Sequence, residues 1–284
     1  ERQGITFNTR VPTDAERGGD FSALRNAQGQ SITIYDPLTT ATVAGVPTRE
    51  PFAGNRIPAG RIDRAAAALQ KYLPQPNAPG AQFTLQDNFI AGTPNKINKD
   101  IWSIKGDHLL SSRQRLSGMF TFDRSPMTRP NAFGNEATPT LGPQLFQRRS
   151  VVFEDTYTIN PTSVFTFRYG LSRLTNERVP FSYGIDVTKL GFPSALAAAT
   201  RVACVPVTAI AGFNGQFSVP NLQTNGAMGQ CDVIFFGIDT HSWRGELSKF
   251  QGRHSLKIGY EYRLLRHNAW QITERQFSFD NGFT

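Results

Sequence analysis

An alternation of apolar and polar side chains with a period of two residues runs through the chain from Asp100 onward. In "SLKIGYEYRLL", residues 255–265, every second residue from Leu256 to Leu264 is apolar, and the residues between them are polar or glycine. Because successive side chains of a β-strand point to opposite faces, this segment is predicted to be a strand with one apolar and one polar face.

Five further segments carry the same alternation. It is clean in "RLSGMFTFD" (115–123) and "SVFTFRYGLS" (163–172), and less regular in "DIWSIKGDH" (100–108), "SVVFEDTYTI" (150–159) and "HSWRGELSKF" (241–250). We therefore expect six amphipathic strands of roughly ten residues each. Asp155 is the residue that does not fit, because it falls on the predicted apolar face with Phe153 and Tyr157. Either a β-bulge turns it inward or the register of this strand differs from the simple alternation.

The connections between these strands are alternately short and long. "LSSRQ", "NPTS" and "QGR" close three hairpins, whereas long links occupy about 124–148, 174–238 and 268–284. A soluble β-sandwich and a membrane barrel both need two-faced strands, but tight turns at one end and long loops at the other are typical of outer-membrane barrels. The predicted fold class is all-β: part of a large antiparallel transmembrane β-barrel with long extracellular loops. A secreted or surface β-sandwich that serves adhesion or binding is the alternative.

Composition agrees with strands and loops and disfavours several other classes. The chain has 22 Phe, 25 Gly and 18 Pro, and it contains no apolar run near the roughly 18 residues of a membrane helix. Its net charge of +8 comes from scattered lysines and arginines, with no basic helix or RNA-binding sheet motif. No nucleic-acid partner is therefore expected.

The first 98 residues have a different texture, rich in Pro, Gly, Asn and Thr. We expect the end of a barrel strand followed by a long ordered loop. That loop contains one short helix in "IDRAAAALQKYLP", with Asp63 as its N-cap and Pro74 at its end. Residues 99–284 are predicted to hold the six amphipathic barrel strands and their extracellular loops.

Several segments in fixed order resemble the Oar-like branch of TonB-dependent outer-membrane receptors. They are "VPTDAERGGDFSAL" (11–24), "IYDPLTT" (34–40), "PFAGNRIPAGRID" (51–63), "ALQKYLPQPN" (68–77), "KGDHLLSSRQRLSGMFTFDR" (105–124), "TYTINPTSVFTFRYGLSRL" (156–174) and "IDVTKLGFPSAL" (185–196). In this family a carboxypeptidase-regulatory-like β-sandwich and a plug precede a large barrel, so the chain is expected to be a barrel fragment that lacks the plug.

The resemblance implies a location in the outer membrane of a Gram-negative-type cell and a role in moving an unidentified solute across it. The implied partners are outer-membrane lipid, lipopolysaccharide, the solute, and the TonB complex, which acts through a plug not present in this chain. Neither catalysis nor a cofactor is implied.

"PFAGNRIPAGRID" could be a phosphate-binding loop or a structural turn. A phosphate loop leads into a helix with Lys and Ser or Thr at set positions, and none follows here. Gly54 and Asn55 are suited to turn positions with positive φ, so we expect the segment to be structural.

Nine charged residues on the polar side of the strands are predicted to face the barrel interior. They are Lys105, Asp107, Arg115, Arg168, Arg244, Glu246, Lys257, Glu261 and Arg263. They would either pair across strands and contact a plug, or contact the solute in transit.

Two further groups lie in or near the predicted extracellular loops. Cys204 and Cys231 share one loop, where outside the cytosol they would be oxidised to a disulfide, the alternative being two free thiols. The arginines at 124, 129, 148 and 149 lie just beyond predicted strands, where they would bind lipopolysaccharide phosphates or remain solvated.

The four histidines, His108, His241, His254 and His267, suggest no catalytic site. His108 follows Asp107 directly, and neighbours along a strand face opposite sides. A zinc site from two cysteines and dispersed histidines is not expected either.

Overall fold

A computed structural model describes residues 2–211, 213, 215–218, 226–273 and 276–279. The strands are β1 Arg2–Thr9, β2 Ala41–Val43, β3 Val46–Thr48, β4 Phe89–Ile97, β5 Asp100–Ser111, β6 Gln114–Thr128, β7 Gln144–Asn160, β8 Ser163–Arg178, β9 Val207–Ile210, β10 Gln216–Phe217, β11 Asp232–Gln251, β12 His254–Thr273 and β13 Gln276–Phe279. The α-helices are α1 Asp14–Arg17, α2 Arg64–Leu69 and α3 Ser194–Ala199. Single 3₁₀ turns cover Pro37–Thr39, Ala53–Asn55, Ala59–Arg61, Gln70–Tyr72 and Val187–Leu190.

One antiparallel sheet dominates the structure, in the order β10-β1-β4-β6-β7-β8-β11-β12. β5 pairs with β6 directly below β4, since Ile97 lies opposite Met127 and Asp100 lies opposite Arg124. β4 and β5 therefore run along β6 as two halves of one long strand. The predicted all-β, antiparallel fold is confirmed, although β5 and β12 each keep one unpaired edge among the described residues and the sheet does not close.

We call β5, β6, β7, β8, β11 and β12 the barrel sheet. Two-residue turns join β5 to β6, β7 to β8 and β11 to β12, and all of them lie at the same end. The register is continuous except beside two of these turns, at Leu109/Ser111 and Thr158/Asn160. Because residues paired across strands share a face, an unbroken register keeps each face uniform in character.

The strands extend further at the long-loop end than the sequence pattern predicts. β6 runs to Thr128 and β7 begins at Gln144, so the first loop is shorter than 124–148. β8 and β11 likewise reduce the second loop to 179–231, and β12 continues to Thr273 inside the predicted loop 268–284. At β11 and β12 the extended ends pack against the second long loop, because Val233 and Ile272 lie in one apolar cluster with Val202 and Val207. No helix among the described residues is long and apolar enough to cross a membrane.

The long loops fold into a structured unit, which we call the cap: residues 2–97, 129–143 and the described part of 179–231. Three apolar clusters form its core. One contains Phe7, Val11, Phe89 and Ala132, and a second joins Leu69, Ala137, Leu190, Val205 and Met228. The third contains the two cysteines and packs onto Val233 and Ile272 at the ends of β11 and β12.

Hydrogen bonds connect the loops that form the cap. Arg17 donates to the carbonyl oxygens of Gln70 at 2.6 Å and Pro74 at 2.7 Å, which holds α1 against the segment after α2. Asn135 donates to the carbonyl of Tyr72 at 2.7 Å, across two different loops. Such pairing is needed wherever irregular backbone is buried.

The two local predictions for the first loop are confirmed. The Asp63 carboxylate accepts hydrogen bonds from the backbone of Ala65 and Ala66 and so caps α2. Gly54 and Asn55 have φ of 61° and 60°, and the Asn55 side chain bonds the backbone of three other loop residues. "GNRIP" is therefore a structural turn.

Candidate functional site

All nine charged residues that were predicted to face the interior lie on one face of the barrel sheet. The register places Lys105 opposite Met119, Arg168 opposite both Glu154 and Arg244, and Arg244 opposite Glu261. Each step across the sheet stays on the same side, because directly paired residues share a face. We call this the charged face, and the opposite side the apolar face.

The charged face is a row of ion pairs. Arg115 Nη2 lies 2.8 Å from Asp107 Oδ1, and Lys105 Nζ lies 3.8 Å from Asp107 Oδ2. On β12, Arg263 Nη2 lies 2.5 Å from Glu261 Oε1. Because these side chains are largely exposed, each pair contributes little to stability. Their role is to make this face polar and wettable.

The densest charges surround a groove of about 230 Å³ in the middle of the sheet. Glu246 joins two cations, with Lys257 Nζ at 2.6 Å and Arg244 Nη2 at 2.7 Å. Arg168 Nε donates to Glu154 Oε2 at 2.7 Å from the neighbouring strand pair. The groove is lined by Glu154, Thr166, Arg168, Arg244, Glu246 and Lys257.

Glu154 is the charged residue of this groove that was not predicted from the sequence. It sits beside Asp155 in a strand whose register was left open, because the simple alternation put Asp155 on the apolar face, and so Glu154 was not assigned to the interior. Arg168 on the next strand was predicted to face inward, and opposite charges are favoured across paired strands. Its charge was therefore the signal that could have placed Glu154 on the same face.

The apolar face carries a continuous set of aromatic and branched side chains. Tyr169, Trp243 and Tyr262 lie in one row across three strands, with ring centroids 5.5 Å and 5.6 Å apart. On β12, Ile258 and Tyr260 remain 71% and 74% exposed, so no described residue covers them. A sheet that leaves such residues uncovered in water would aggregate.

Asp155 lies on this apolar face, opposite Leu116 and Phe167, with no bulge at its position. The simple alternation was therefore correct, and the bulge that would have turned Asp155 inward is absent from β7. Gln114 compensates the carboxylate by donating from its side-chain amide at 2.9 Å and 3.2 Å.

The four arginines predicted to act together do not gather. The assumption that they lie outside strands was wrong for three of them, because β6 and β7 extend past Arg124, Arg148 and Arg149. Arg148 points to the charged face, whereas Arg124 and Arg149 point to the apolar face. Arg129 is partly buried in the cap, where it donates to Gln144 Oε1 at 2.9 Å. Burial, followed by the nearby Arg178 cation, lowers the Arg129 pKa.

Cys204 and Cys231 are joined in the structure, with their Cα atoms 5.6 Å apart. That separation lies within the range that disulfides normally span. Both cysteines are buried beside Val202, Val207 and Val233. The bond therefore ties the middle of the loop 179–231 to its last residue, where the loop meets β11.

The histidines are dispersed, and Asp107 and His108 point to opposite faces as the strand geometry requires. His241 lies on the apolar face, where the Tyr169 hydroxyl is 2.9 Å from its Nδ1. Among the described residues, no three His, Cys, Asp or Glu side chains come together in a way that could hold a metal ion.

The family model described as "Outer membrane beta barrel domain" matches residues 1–284 of the chain. No curated protein and no solved structure matches it significantly.

Proposed function

The chain belongs to the outer membrane beta barrel domain family, and from that premise we propose that it forms part of the barrel of a TonB-dependent receptor of the Oar-like branch, which takes up a solute. The family places the protein in the outer membrane. TonB dependence and uptake are our proposal.

The charged face is the observation that carries the proposal. Six strands present paired acids and bases on one side and uncovered apolar residues on the other. With lipid against the apolar face, the charged face lines the barrel interior. Its ion pairs leave few free charges, which suits an interior that holds and releases a polar plug.

The cap supports capture at the cell exterior. Long loops in outer-membrane barrels lie on the extracellular side. Here they carry three cores and interloop hydrogen bonds, so they can present a preformed binding surface at a lower entropic cost than mobile loops. In this proposal the cap captures the solute, and TonB moves a plug that lies outside this chain.

We further propose that the protein acts without catalysis and without a cofactor. The β-sandwich alternative is not favoured. A sandwich buries its apolar face against a second sheet, and none of the described strands covers Ile258, Tyr260 or their neighbours.

Uptake in whole cells tests the proposal. Cells that express the protein are offered labelled ferric siderophores, cobalamin, oligosaccharides and peptides, with and without a protonophore. We expect accumulation of at least one solute that stops when the inner-membrane proton gradient or TonB is removed. Accumulation that continues without either would identify a passive pore and contradict TonB dependence.

A further inference from the structure

Arginines form a line across the apolar face, near the end where the long loops begin. Arg149 lies directly opposite Arg173 on the next strand. Asp239 follows in the same row, and Arg266 follows Asp239. Arg124 lies on the same face, one row closer to the cap. We call Arg124, Arg149, Arg173 and Arg266 the arginine belt.

The belt interrupts the apolar residues of this face near its long-loop end, and apolar side chains return two rows further up at Leu145, Phe235 and Trp270. In the row below it, the same strands carry Val151, Leu171 and Leu264. On β6 the apolar residues run one row further, to Phe122, and Arg124 follows directly above. The step in the belt thus follows the upper end of this lower apolar set. On each of these four strands the first charged residue above that set is an arginine, whereas on β5 and β11 it is an aspartate, Asp100 or Asp239.

Charge on the belt is only partly balanced. Arg173 Nη1 binds both oxygens of Asp239, at 3.0 Å and 3.2 Å. Within the described part of the chain, no ion pair involves Arg124, Arg149 or Arg266. Arg149 lies over the ring of Phe122, with its guanidinium carbon 5.8 Å from the ring centroid. Two further carboxylates lie on this face, Asp100 directly opposite Arg124 and Glu177 two rows above Arg173, so four cations face three anions.

Two depressions open beside the belt. The larger, of about 530 Å³, contains Arg173 and lies over Gly237, which has no side chain to fill it. The smaller, of about 280 Å³, contains Arg124 and is lined mainly by apolar atoms. Glu177 and Phe235 line both depressions and so separate them.

We propose that the arginine belt binds the phosphate groups of lipopolysaccharide in the outer leaflet, with acyl chains against the apolar residues below. Guanidinium matches phosphate with two parallel hydrogen bonds, which makes arginine the suited residue for this contact. The long-loop end faces the exterior, where this phosphorylated lipid resides. The proposal rests on membership of the outer-membrane family and is independent of solute uptake.

Two adjacent arginines provide a matched test. Arg149→Gln removes one charge from the belt, and Arg148→Gln removes the same charge one residue away on the charged face. Each variant of the protein, folded in detergent, is titrated with fluorescent lipopolysaccharide, and binding is followed by anisotropy. We expect affinity to fall about fivefold for Arg149→Gln and less than twofold for Arg148→Gln.

A combined variant enlarges the effect. Replacing all four belt arginines by Gln is expected to weaken binding at least about twentyfold. Arg149→Gln with Arg266→Gln is the fallback if the fourfold variant does not fold, since neither side chain forms an ion pair among the described residues. Folding of each variant is checked by circular dichroism and by its heat-dependent gel mobility.

Three results would overturn the proposal. The first is equal loss of affinity for Arg148→Gln and Arg149→Gln. The second is undiminished binding of dephosphorylated lipopolysaccharide, since phosphate would then not be recognised. The third is competition by inorganic phosphate or phosphatidylglycerol vesicles as strong as that by lipopolysaccharide, which would assign the belt to anions in general.

Discussion

The cap and the barrel sheet are built from the same chain but bury their apolar residues in different ways. In the cap, Phe7, Val11 and Val205 are fully buried against other parts of the chain. In the barrel sheet, the buried apolar side chains among the described residues are Val233 and Ile272, and both lie at strand ends that touch the cap. Between those ends and the turns, the sheet has no core of its own.

The difference shows that the two regions are adapted to different solvents. The cap satisfies the rules for a protein in water, with interior cores, capped turns and a disulfide. The barrel sheet gains nothing from its apolar face in water. From Leu256 to Leu264 this face spans nine residues, which matches the roughly 9–11 residues of a tilted transmembrane strand. Lipid must therefore supply the missing half of its packing.

The largest expected effect is the loss of cap stability when a core residue of the cap is truncated. Phe7 is fully buried and makes an edge contact with Phe133 at 6.0 Å. Phe7→Ala is expected to destabilise the cap by about 3–5 kcal/mol, because transfer and cavity terms add. Hydrogen exchange in detergent would show lost protection in β1 and β4 while β11 and β12 remain protected. Leu38→Ala, at a side chain 78% exposed in the same loop, is the control.

Removing the disulfide should act on the cap in the same selective way. Cys204 and Cys231 are 27 positions apart, and opening a loop of this length costs about 3–4 kcal/mol in the chain-entropy model. Paired Cys204→Ser and Cys231→Ser substitutions should lower the cap's unfolding midpoint and leave the sheet's midpoint unchanged. Mass spectrometry of the unreduced protein that detects two free thiols would contradict the expected bond.

The barrel sheet is expected to respond to charge on one face only. Tyr260→Arg places a cation on the apolar face, at a cost of about 2–4 kcal/mol near the membrane centre. Leu265→Arg on β12 makes a similar change on the charged face, where the side chain is 63% exposed, and should cost little. Folding titrations into lipid vesicles would measure both. Equal costs for the two variants would remove the distinction between the faces.

The smallest expected effect concerns pH and again belongs to the cap. Hydrogen bonds from Arg61 to Asp36, at 2.6 Å and 2.8 Å, lower the Asp36 pKa from 3.8 to about 2. A lowered carboxyl pKa gives stability that is complete above about pH 4 and is lost as pH falls toward 2. Because the pair is exposed, the effect is small.

Arg61→Ala isolates this contribution. The variant should flatten the decline of the cap's unfolding midpoint between pH 4 and 2, and the double variant with Asp36→Asn should add nothing further. An unchanged pH profile in Arg61→Ala would show that the ion pair has no role in acid stability.

The faces of the barrel sheet could be predicted from sequence because alternation is local. Lys257 and Tyr260 reveal their sides through their immediate neighbours, and the structure agrees at both. Where the strands end could not be predicted, since β8 and β11 continue through backbone pairing that the apolar pattern does not mark. The packing of Phe7 on Phe133 was also inaccessible, because it joins residues more than a hundred positions apart.

The candidate sites also divide into residues that local alternation reveals and residues whose grouping depends on distant parts of the chain. The nine charged residues were found because each sits in a two-faced strand. Arg173 and Arg266 were missed because they lie where the predicted strands were thought to end. The grouping of Arg149 with Arg173 depends on pairing between strands, which no single stretch of sequence contains.

Accessibility along β12 tests the central claim most directly. A spin label is placed in turn at each position from 256 to 264 in the protein reconstituted in lipid, and its collisions with dissolved oxygen and with a water-soluble nickel complex are measured. The account predicts a two-residue period, with oxygen favoured at the even positions and nickel at the odd ones. Nickel access at both sets, or at neither, would contradict a sheet that faces lipid on one side and an aqueous interior on the other.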